Sequence, residues 1–322
     1  MKQIIKELQK LNIAVKENEP LANHTTFQIG GPAKVYLEAK SPTELLEILK
    51  IIKQRGLKYI MIGGGSNLLV SDAGYDGAVI KTNPGELLIE NNLITADAGC
   101  TLAGLIMKTL DLGLTGLEFA AGVPGTVGGA IKGNAGTYGE AMDKAVKTVD
   151  FINDNLEIET CTGQQCNFAY RHSIFKEHDS WLIVSAVLQL TTGDLAASRK
   201  LIDERLAYRT TSQPHGYPSA GCTFKNIAYT ETIAENLKKL NWELSPKFKE
   251  YQKIPASWVI EKLDLKGKTI GKAQIAEKHA NYIINLGGAK ADDVIRLIGY
   301  IKQQVRDKTG IQLEEEVRYV GF

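Results

Sequence analysis

The sequence predicts an α+β protein of two or three domains, on three observations. Near the amino end a strand, a helix and a second strand follow one another within about thirty residues; strands then dominate to about residue 190; beyond Thr191-Thr192-Gly193 the apolar residues recur at helical spacing. A length of 322 residues fits two or three domains of about 100–200 residues each.

Taken in order, Lys34–Ala39 reads as a strand, and Ser41-Pro42-Thr43-Glu44 opens a helix with a capping box and a proline in its first turn. Leu45, Leu46, Ile48, Leu49 and Ile52 recur on one helical face, and Gly56 is placed to end the helix in the left-handed conformation. Leu57–Ile62 is the next strand, expected parallel to the first through a right-handed crossover. Gly77–Lys81, Leu87–Glu90 and Leu93–Ala96 follow as strands, the last two a hairpin across Asn91-Asn92. Thr101–Leu112 is a helix stopped by Gly113, and strands return at Val146–Phe151, Leu156–Glu159 and Trp181–Leu190. Helices then cover Leu195–Tyr208, Pro255–Lys262 and Ala291–Lys308, with Gly310 as the last stop. The main boundary falls between about residues 191 and 205.

Composition excludes several classes. With 43% hydrophobic and 23% charged residues the chain is globular, not disordered. Thirty-eight basic against thirty-seven acidic residues, with no basic block, argue against a nucleic-acid partner. No run of about 18 apolar residues is present, and the amino end lacks a signal peptide's apolar region, so a cytoplasmic chain without membrane attachment is expected. Cys100, Cys161, Cys166 and Cys222 make neither a disulfide scaffold nor a C-x-x-C pair. His24, His172, His178, His215 and His279 are isolated, and no metal is expected.

Glycine is the unusual component: 31 residues, close to one in ten where about 7% is average. Two clusters hold many of them, Ile62-Gly63-Gly64-Gly65-Ser66-Asn67 and Gly122-Val123-Pro124-Gly125-Thr126-Val127-Gly128-Gly129, the second running on through Asn134-Ala135-Gly136-Thr137-Tyr138-Gly139. Without a Cβ, such loops let backbone amides surround a phosphate. Neither usual phosphate motif is complete. Gly267-Lys268-Thr269 has Lys262 where the P-loop's first glycine belongs, and Leu68 stands at the last glycine of a Rossmann fingerprint. A dinucleotide held by two separate loops and tight turns in a close-packed sheet both fit these residues.

Further blocks narrow the choice. Asn23-His24-Thr25-Thr26-Phe27-Gln28-Ile29-Gly30-Gly31-Pro32, the two glycine clusters, Tyr170-Arg171-His172-Ser173, Pro218-Ser219-Ala220-Gly221-Cys222-Thr223-Phe224-Lys225-Asn226, Gly271–Asn281 and Leu313-Glu314-Glu315-Glu316-Val317-Arg318 occur in this order along nearly the whole chain. In order and spacing they resemble the UDP-N-acetylenolpyruvoylglucosamine reductases, flavoenzymes of peptidoglycan precursor synthesis.

The resemblance implies a two-subdomain FAD-binding fold of the vanillyl-alcohol-oxidase (PCMH) type plus a C-terminal α+β substrate-binding domain. Residues 1–82 and 83–200 would form the subdomains with FAD between them, and 201–322 the domain that closes the substrate site, its last strand near 313–320 carrying a catalytic glutamate. It implies FAD as cofactor, held by Ile62, Gly63, Gly64, Gly65, Ser66, Asn67, Gly122, Pro124, Gly125, Gly128, Gly129, Asn134 and Gly136. NADPH is the implied hydride donor, and the enolpyruvyl ether of UDP-N-acetylglucosamine the acceptor. Small molecules would be the only partners, of a monomer.

By the same resemblance Arg171 meets the substrate carboxylate, a task suited to a permanently charged, bidentate guanidinium. Glu316 is the implied catalytic glutamate, and Tyr170, Lys225, Asn226 and Arg318 are implied substrate contacts. Strand alternation would set Glu314, Glu316 and Arg318 on one face and Val317 on the other. Three positions depart from the family pattern. Cys222 stands where a serine proton donor is usual; a free thiol, with pKa about 8.5, is protonated at neutral pH and can do the same work. Glu315 stands where proline is common, and a lysine used for the diphosphate is replaced around Ser212 or Gln213. An extra tyrosine loop found in one subclass is absent, which points to the shorter, second type. An FAD-dependent alcohol or sugar oxidase of the same fold and a catalytically silent UDP-sugar-binding paralogue remain as alternatives. The first would consume oxygen without NADPH, and the second would bind without turnover.

Overall fold

The computed structural model describes residues 2–83 and 85–322. The chain forms two compact units: one built from the residues up to Glu19 with Pro32–Gly65 and Tyr75–Arg209, the other from Pro20–Gly31, Ser66–Gly74 and Thr210–Phe322.

In the first unit, Ser41 caps the helix Pro42–Gln54 by accepting from the Glu44 amide at 3.1 Å, and Gly56 follows the helix at φ +62°. Leu45, Ile48, Leu49 and Ile52 are buried against Val35, Leu37, Ala78 and Ile80. The strands Pro32–Ala39 and Tyr59–Ile62 do run parallel, but each pairs with Tyr75–Thr82, which lies between them. Ala78, Val79 and Ile80 are buried, as suits a central strand. Val15–Pro20 completes this four-stranded sheet.

A second, antiparallel sheet has the order Ile158–Thr162, Val146–Ile152, Leu182–Gln189, Leu93–Asp97, Leu87–Glu90. The hairpin turns at Asn91-Asn92, with Asn91 at φ +57°. The strand read at Leu156–Glu159 lies two residues later because Leu156 adopts φ +62° in the turn closed by Asn153. Helices Leu102–Asp111 and Val127–Lys132 bury Leu105, Leu110, Val127 and Ile131 in the same core as Val149, Phe151 and Ile183.

The C-terminal unit is also α+β, not merely helical. Ser219–Cys222, Tyr282–Asn285, Ala273–Ile275 and Thr269–Ile270 form an antiparallel sheet of strands too short to show periodicity. The helix Ala291–Thr309, ended by Gly310 at φ +73°, buries Val294, Leu297, Ile298, Ile301 and Val305 beside Val259 and Ile260.

The domain limits read from the sequence need three corrections. Residues 20–31 do not belong with 1–82: Phe27 and Ile29 enter the C-terminal core, and the Thr26 hydroxyl donates to the Ser219 carbonyl at 2.7 Å. Residues 66–74 move too, because Leu68–Val70 pairs in parallel with Arg318–Val320 and the Asp72 carboxylate accepts from the Ala291 amide at 2.9 Å, capping that helix. The helix predicted to end at Tyr208 continues to Ser212, and the first unit keeps it through Arg209 rather than stopping at 200.

Candidate active site

The first unit brings the two glycine clusters together. A Cβ on Gly63 would lie 2.5 Å from Thr126 Oγ1, and one on Gly64 3.0 Å from the Cα of Gly125. Gly65 and Gly125 hold φ values of +62° and +124°, open to glycine and strained for other residues. Gly128 packs so closely on Ala98 that a Cβ would come within 2.7 Å, and its amide donates to the Ala98 carbonyl at 2.9 Å. Among the described residues the amides of Gly64 and Gly65 donate to no protein acceptor. A cradle that side chains would fill, with free amides in it, fits the pyrophosphate of a dinucleotide.

The same unit presents Arg171 on a tight turn. Ala169 and His172 exchange backbone hydrogen bonds, both 3.1 Å, leaving Tyr170 and Arg171 at the tip. Arg171 adopts φ +56°; its Nη1 donates to the Gly136 carbonyl at 3.0 Å, and its own carbonyl accepts from Lys176 Nζ at 2.7 Å. A non-glycine residue held in this region by three groups of bonds is a local strain fixed by its surroundings. Asn134, read as a cofactor contact, is buried with both ends of its amide engaged: Nδ2 donates to the Ala169 carbonyl at 3.0 Å and Oδ1 accepts from the Asp143 amide at 3.1 Å. It thereby ties the Arg171 turn to the second glycine cluster. Gly122 sits at φ +71°, and a Cβ there would meet Arg209 Cδ at 2.9 Å.

The C-terminal unit gathers Asn67, Cys222, Lys225, Glu316 and Arg318. Cys222 ends its strand opposite Tyr282, after an irregularity at Gly221, whose φ of +77° re-aims the residue that follows. The next residue, Thr223, donates its amide to the Asn281 carbonyl at 2.7 Å, and its carbonyl accepts from the Glu316 amide at 2.8 Å. Asn281, buried, accepts from the Phe224 amide at 2.9 Å and donates to the Phe224 carbonyl at 2.8 Å. Asn67 holds the other side: its Nδ2 donates to the Glu316 carbonyl at 3.0 Å, and its own carbonyl accepts from the Arg318 amide at 2.9 Å. Cys222 and Glu316 are thus fixed one residue apart across paired backbones.

The carboxyl-terminal segment is not the continuous strand expected near 313–320. Glu315 makes an isolated bridge with Phe224, the chain bends at Val317, and only Arg318–Val320 is a strand. The bend arises where pairing passes from the Thr223–Lys225 segment to Leu68–Val70, so the simple alternation of faces through 314–318 does not apply. Glu315, in the proline position of the family pattern, pairs with Lys302 at 2.6 Å and accepts from the Tyr319 hydroxyl; burial, then this carboxylate, push that phenol above its usual range. Lys225 forms an ion pair with Glu314, and Asn226 Oδ1 accepts from the Ala256 amide at 3.4 Å.

Thr126, Asn281 and Thr223 were present in the sequence blocks without a role. Their function is to fix backbone, which no residue-type signal announces. No group of three potential metal ligands occurs among the described residues, and no described helix is long and apolar enough to cross a membrane.

Residues 33–162 match the model of an FAD binding domain, and residues 213–320 match that of the UDP-N-acetylenolpyruvoylglucosamine reductase C-terminal domain. UDP-N-acetylenolpyruvoylglucosamine reductase of Anoxybacillus flavithermus is 37% identical over 324 aligned positions, covering 100% of this chain and 99% of the relative. The chain belongs to the UDP-N-acetylenolpyruvoylglucosamine reductase family. The reductase of Bacillus subtilis is likewise 37% identical, again over 100% of this chain and 99% of its own length. The crystal structure of the Thermus caldophilus reductase superposes with a TM-score of 0.74 at 28% identity, covering 96% of this chain and 98% of that one. The protein is therefore an FAD-containing oxidoreductase, and the residues that match the FAD binding domain lie in its first unit except for 66–74.

Proposed function

We propose that this reductase converts the enolpyruvyl ether of UDP-N-acetylglucosamine to UDP-N-acetylmuramate with NADPH, in peptidoglycan precursor synthesis. The observation that supports the chemistry is the hydrogen bond from the Glu316 amide to the Thr223 carbonyl at 2.8 Å, which holds the Glu316 backbone against the residue next to Cys222. FAD, when bound, supplies hydride transfer from NADPH to the terminal vinyl carbon of the substrate. The backbone amides of Gly63, Gly64, Gly65 and Gly125 would hold its pyrophosphate, while Ile62, Ser66, Gly122, Pro124 and Gly136, with Gly128 and Gly129 whose amides are tied to the Ala98 carbonyl and Thr126 Oγ1, would shape the surrounding loops.

Hydride arriving at an enol ether conjugated to a carboxylate leaves negative charge on the α-carbon and the carboxylate oxygens. The protein must stabilise that charge and deliver one proton. Arg171 takes the carboxylate, its guanidinium aimed by the Gly136 carbonyl and its backbone pinned by Lys176. Cys222 gives its Sγ proton to the α-carbon and recovers one from solvent. Glu316 fixes the orientation of the developing enolate, held in place through both of its backbone groups by Thr223 and Asn67. Lys225 and Arg318 contribute positive charge for the nucleotide phosphates, and Tyr170 and Asn226 line the substrate's path. The enzyme acts in the cytoplasm.

The test is an anaerobic absorbance trace of the FAD-loaded protein. NADPH should bleach the visible flavin band and the enolpyruvyl substrate should restore it. Bleaching without recovery would mean a different electron acceptor, as in an oxidase; binding of the UDP-sugar with no bleaching would mean a silent paralogue.

A further inference from the structure

The thiols of Cys161 and Cys166 lie outside everything assigned above. Cys161 is in the strand Ile158–Thr162 and Cys166 in the turn that leaves it, its amide bonded to the Thr162 carbonyl at 3.0 Å. Both are free thiols, and their Sγ atoms are 3.4 Å apart. Cys166 is fully buried, whereas Cys161 is half-buried at the edge of the same core. The hydrogen bond between the two sulfurs holds Cys161 below the ordinary thiol range; the same bond, with burial, pushes Cys166 above it. Cys161, the less buried of the two, is thus the reachable nucleophile, with the Cys166 sulfur beside it.

Cys166 is also the base of the Arg171 turn. Its carbonyl accepts from the Ile174 amide at 2.8 Å, and the Ala169–His172 pair with Arg171 at its tip lies inside that closure.

We propose that Cys161 and Cys166 are a modification site, closing to a reversible disulfide on exposure to a hydroperoxide and displacing the base of the turn that carries Arg171. The Cys161 thiolate attacks one oxygen of hydrogen peroxide; the O–O bond breaks, leaving a sulfenic acid and hydroxide. The Cys166 sulfur then attacks the sulfenic sulfur, the S–O bond breaks, and the departing hydroxide and the Cys166 proton leave as water. Two thiols and one peroxide become one disulfide and two waters. Closure draws the sulfurs from 3.4 Å to about 2.05 Å, a contraction that a close-packed interior passes on to its neighbours. The effect on turnover rests on the assignment of Arg171 to the substrate carboxylate; the covalent chemistry does not.

The experiment treats the FAD-loaded enzyme with hydrogen peroxide, blocks remaining thiols with N-ethylmaleimide, and maps tryptic peptides by mass. The peptide Thr148–Arg171 contains both cysteines and no other. It should lose two hydrogens, take up no maleimide, and regain two reactive thiols with dithiothreitol. The KM for the enolpyruvyl substrate should rise about threefold or more on closure and return with dithiothreitol. In Cys161→Ser the mass loss and the reversible change in KM should both vanish, while oxidation at Cys222 is read separately in its own peptide. Two maleimide-labelled thiols after peroxide, or a sulfinic acid at Cys161 without a bridge, would overturn the proposal. A bridge that leaves KM unchanged would overturn its link to Arg171. A protein inactive towards the substrate would refute the proposed function, and the bridge would still be scored by mass.

Discussion

The glycine-lined loops of the first unit and the Cys222–Glu316 segment of the second reach precision by opposite means. In the first, the working surface is made by removing side chains: Gly63 and Gly64 approach Thr126 and Gly125 so closely that a single methyl group would collide. In the second, the side chains proposed to act on the substrate stand on irregular backbone held by Asn281, Asn67 and Thr223. Substitution should therefore separate the two. Changes in the loops should cost cofactor affinity, and changes around Cys222 should cost one half-reaction while leaving flavin reduction intact.

The sharpest separation is expected from Glu316→Gln, which keeps the backbone links but removes the charge. Reoxidation of reduced flavin by the enolpyruvyl substrate should slow by about 10²–10³-fold in stopped-flow absorbance, with reduction by NADPH unaffected. Equal slowing of both steps would erase the distinction between the regions.

Gly63→Ala should act in the other direction, because its Cβ would sit 2.5 Å from Thr126 Oγ1. FAD affinity, read by fluorescence titration, should fall about tenfold or more, while turnover at saturating FAD stays near that of the parent. A normal affinity would mean that the cradle relaxes without affecting the cofactor.

Asn281→Ala tests the scaffold beneath Cys222. Two hydrogen bonds to the buried Phe224 backbone are lost, costing about 2–4 kcal/mol, which should lower the thermal midpoint. Because Phe224 is two residues from Cys222, flavin reoxidation should suffer more than flavin reduction.

The smallest effect expected is one of pH. Burial lowers the pKa of His279 from the usual 6.5. The folded chain then holds the neutral imidazole, and the unfolded chain binds the extra proton first as pH falls. This residue's contribution is complete above pH 6.5 and is lost on acidification from there down through its lower folded value. His279→Gln should flatten that part of the stability curve measured by denaturant titration between pH 7 and 5. An unchanged slope would assign the acid loss to other groups.

The strand and helix pattern of the first unit was legible because its elements are long and their caps are local: Ser41, Gly56, Thr101 and Gly113 act within a few residues of themselves. The insertion of Tyr75–Thr82 between two earlier strands was not, since strand order depends on contacts distant in sequence. The same holds for the transfer of two segments to the C-terminal core: residues 20–31 follow Phe27 and Ile29 into it, and residues 66–74 rest on Leu68–Val70 finding Arg318–Val320 some 250 positions away. In the site, Cys222 and Glu316 could be named from their motif blocks, but their adjacency runs through the main chain of Thr223. Backbone partners leave no mark in residue type. The paired thiols of Cys161 and Cys166 were missed for a related reason: a C-x-x-x-x-C spacing carries no signal until a turn closes it.

The most direct test of the central claim, that a cysteine delivers the proton, is single-turnover flavin reoxidation in Cys222→Ala. If Cys222 is the donor, reduction by NADPH should match that of the parent while reoxidation by the enolpyruvyl substrate falls by about 10²–10⁴-fold, with Cys222→Ser recovering most of the loss. Reoxidation at the parental rate in Cys222→Ala would contradict that account and move the proton to another group.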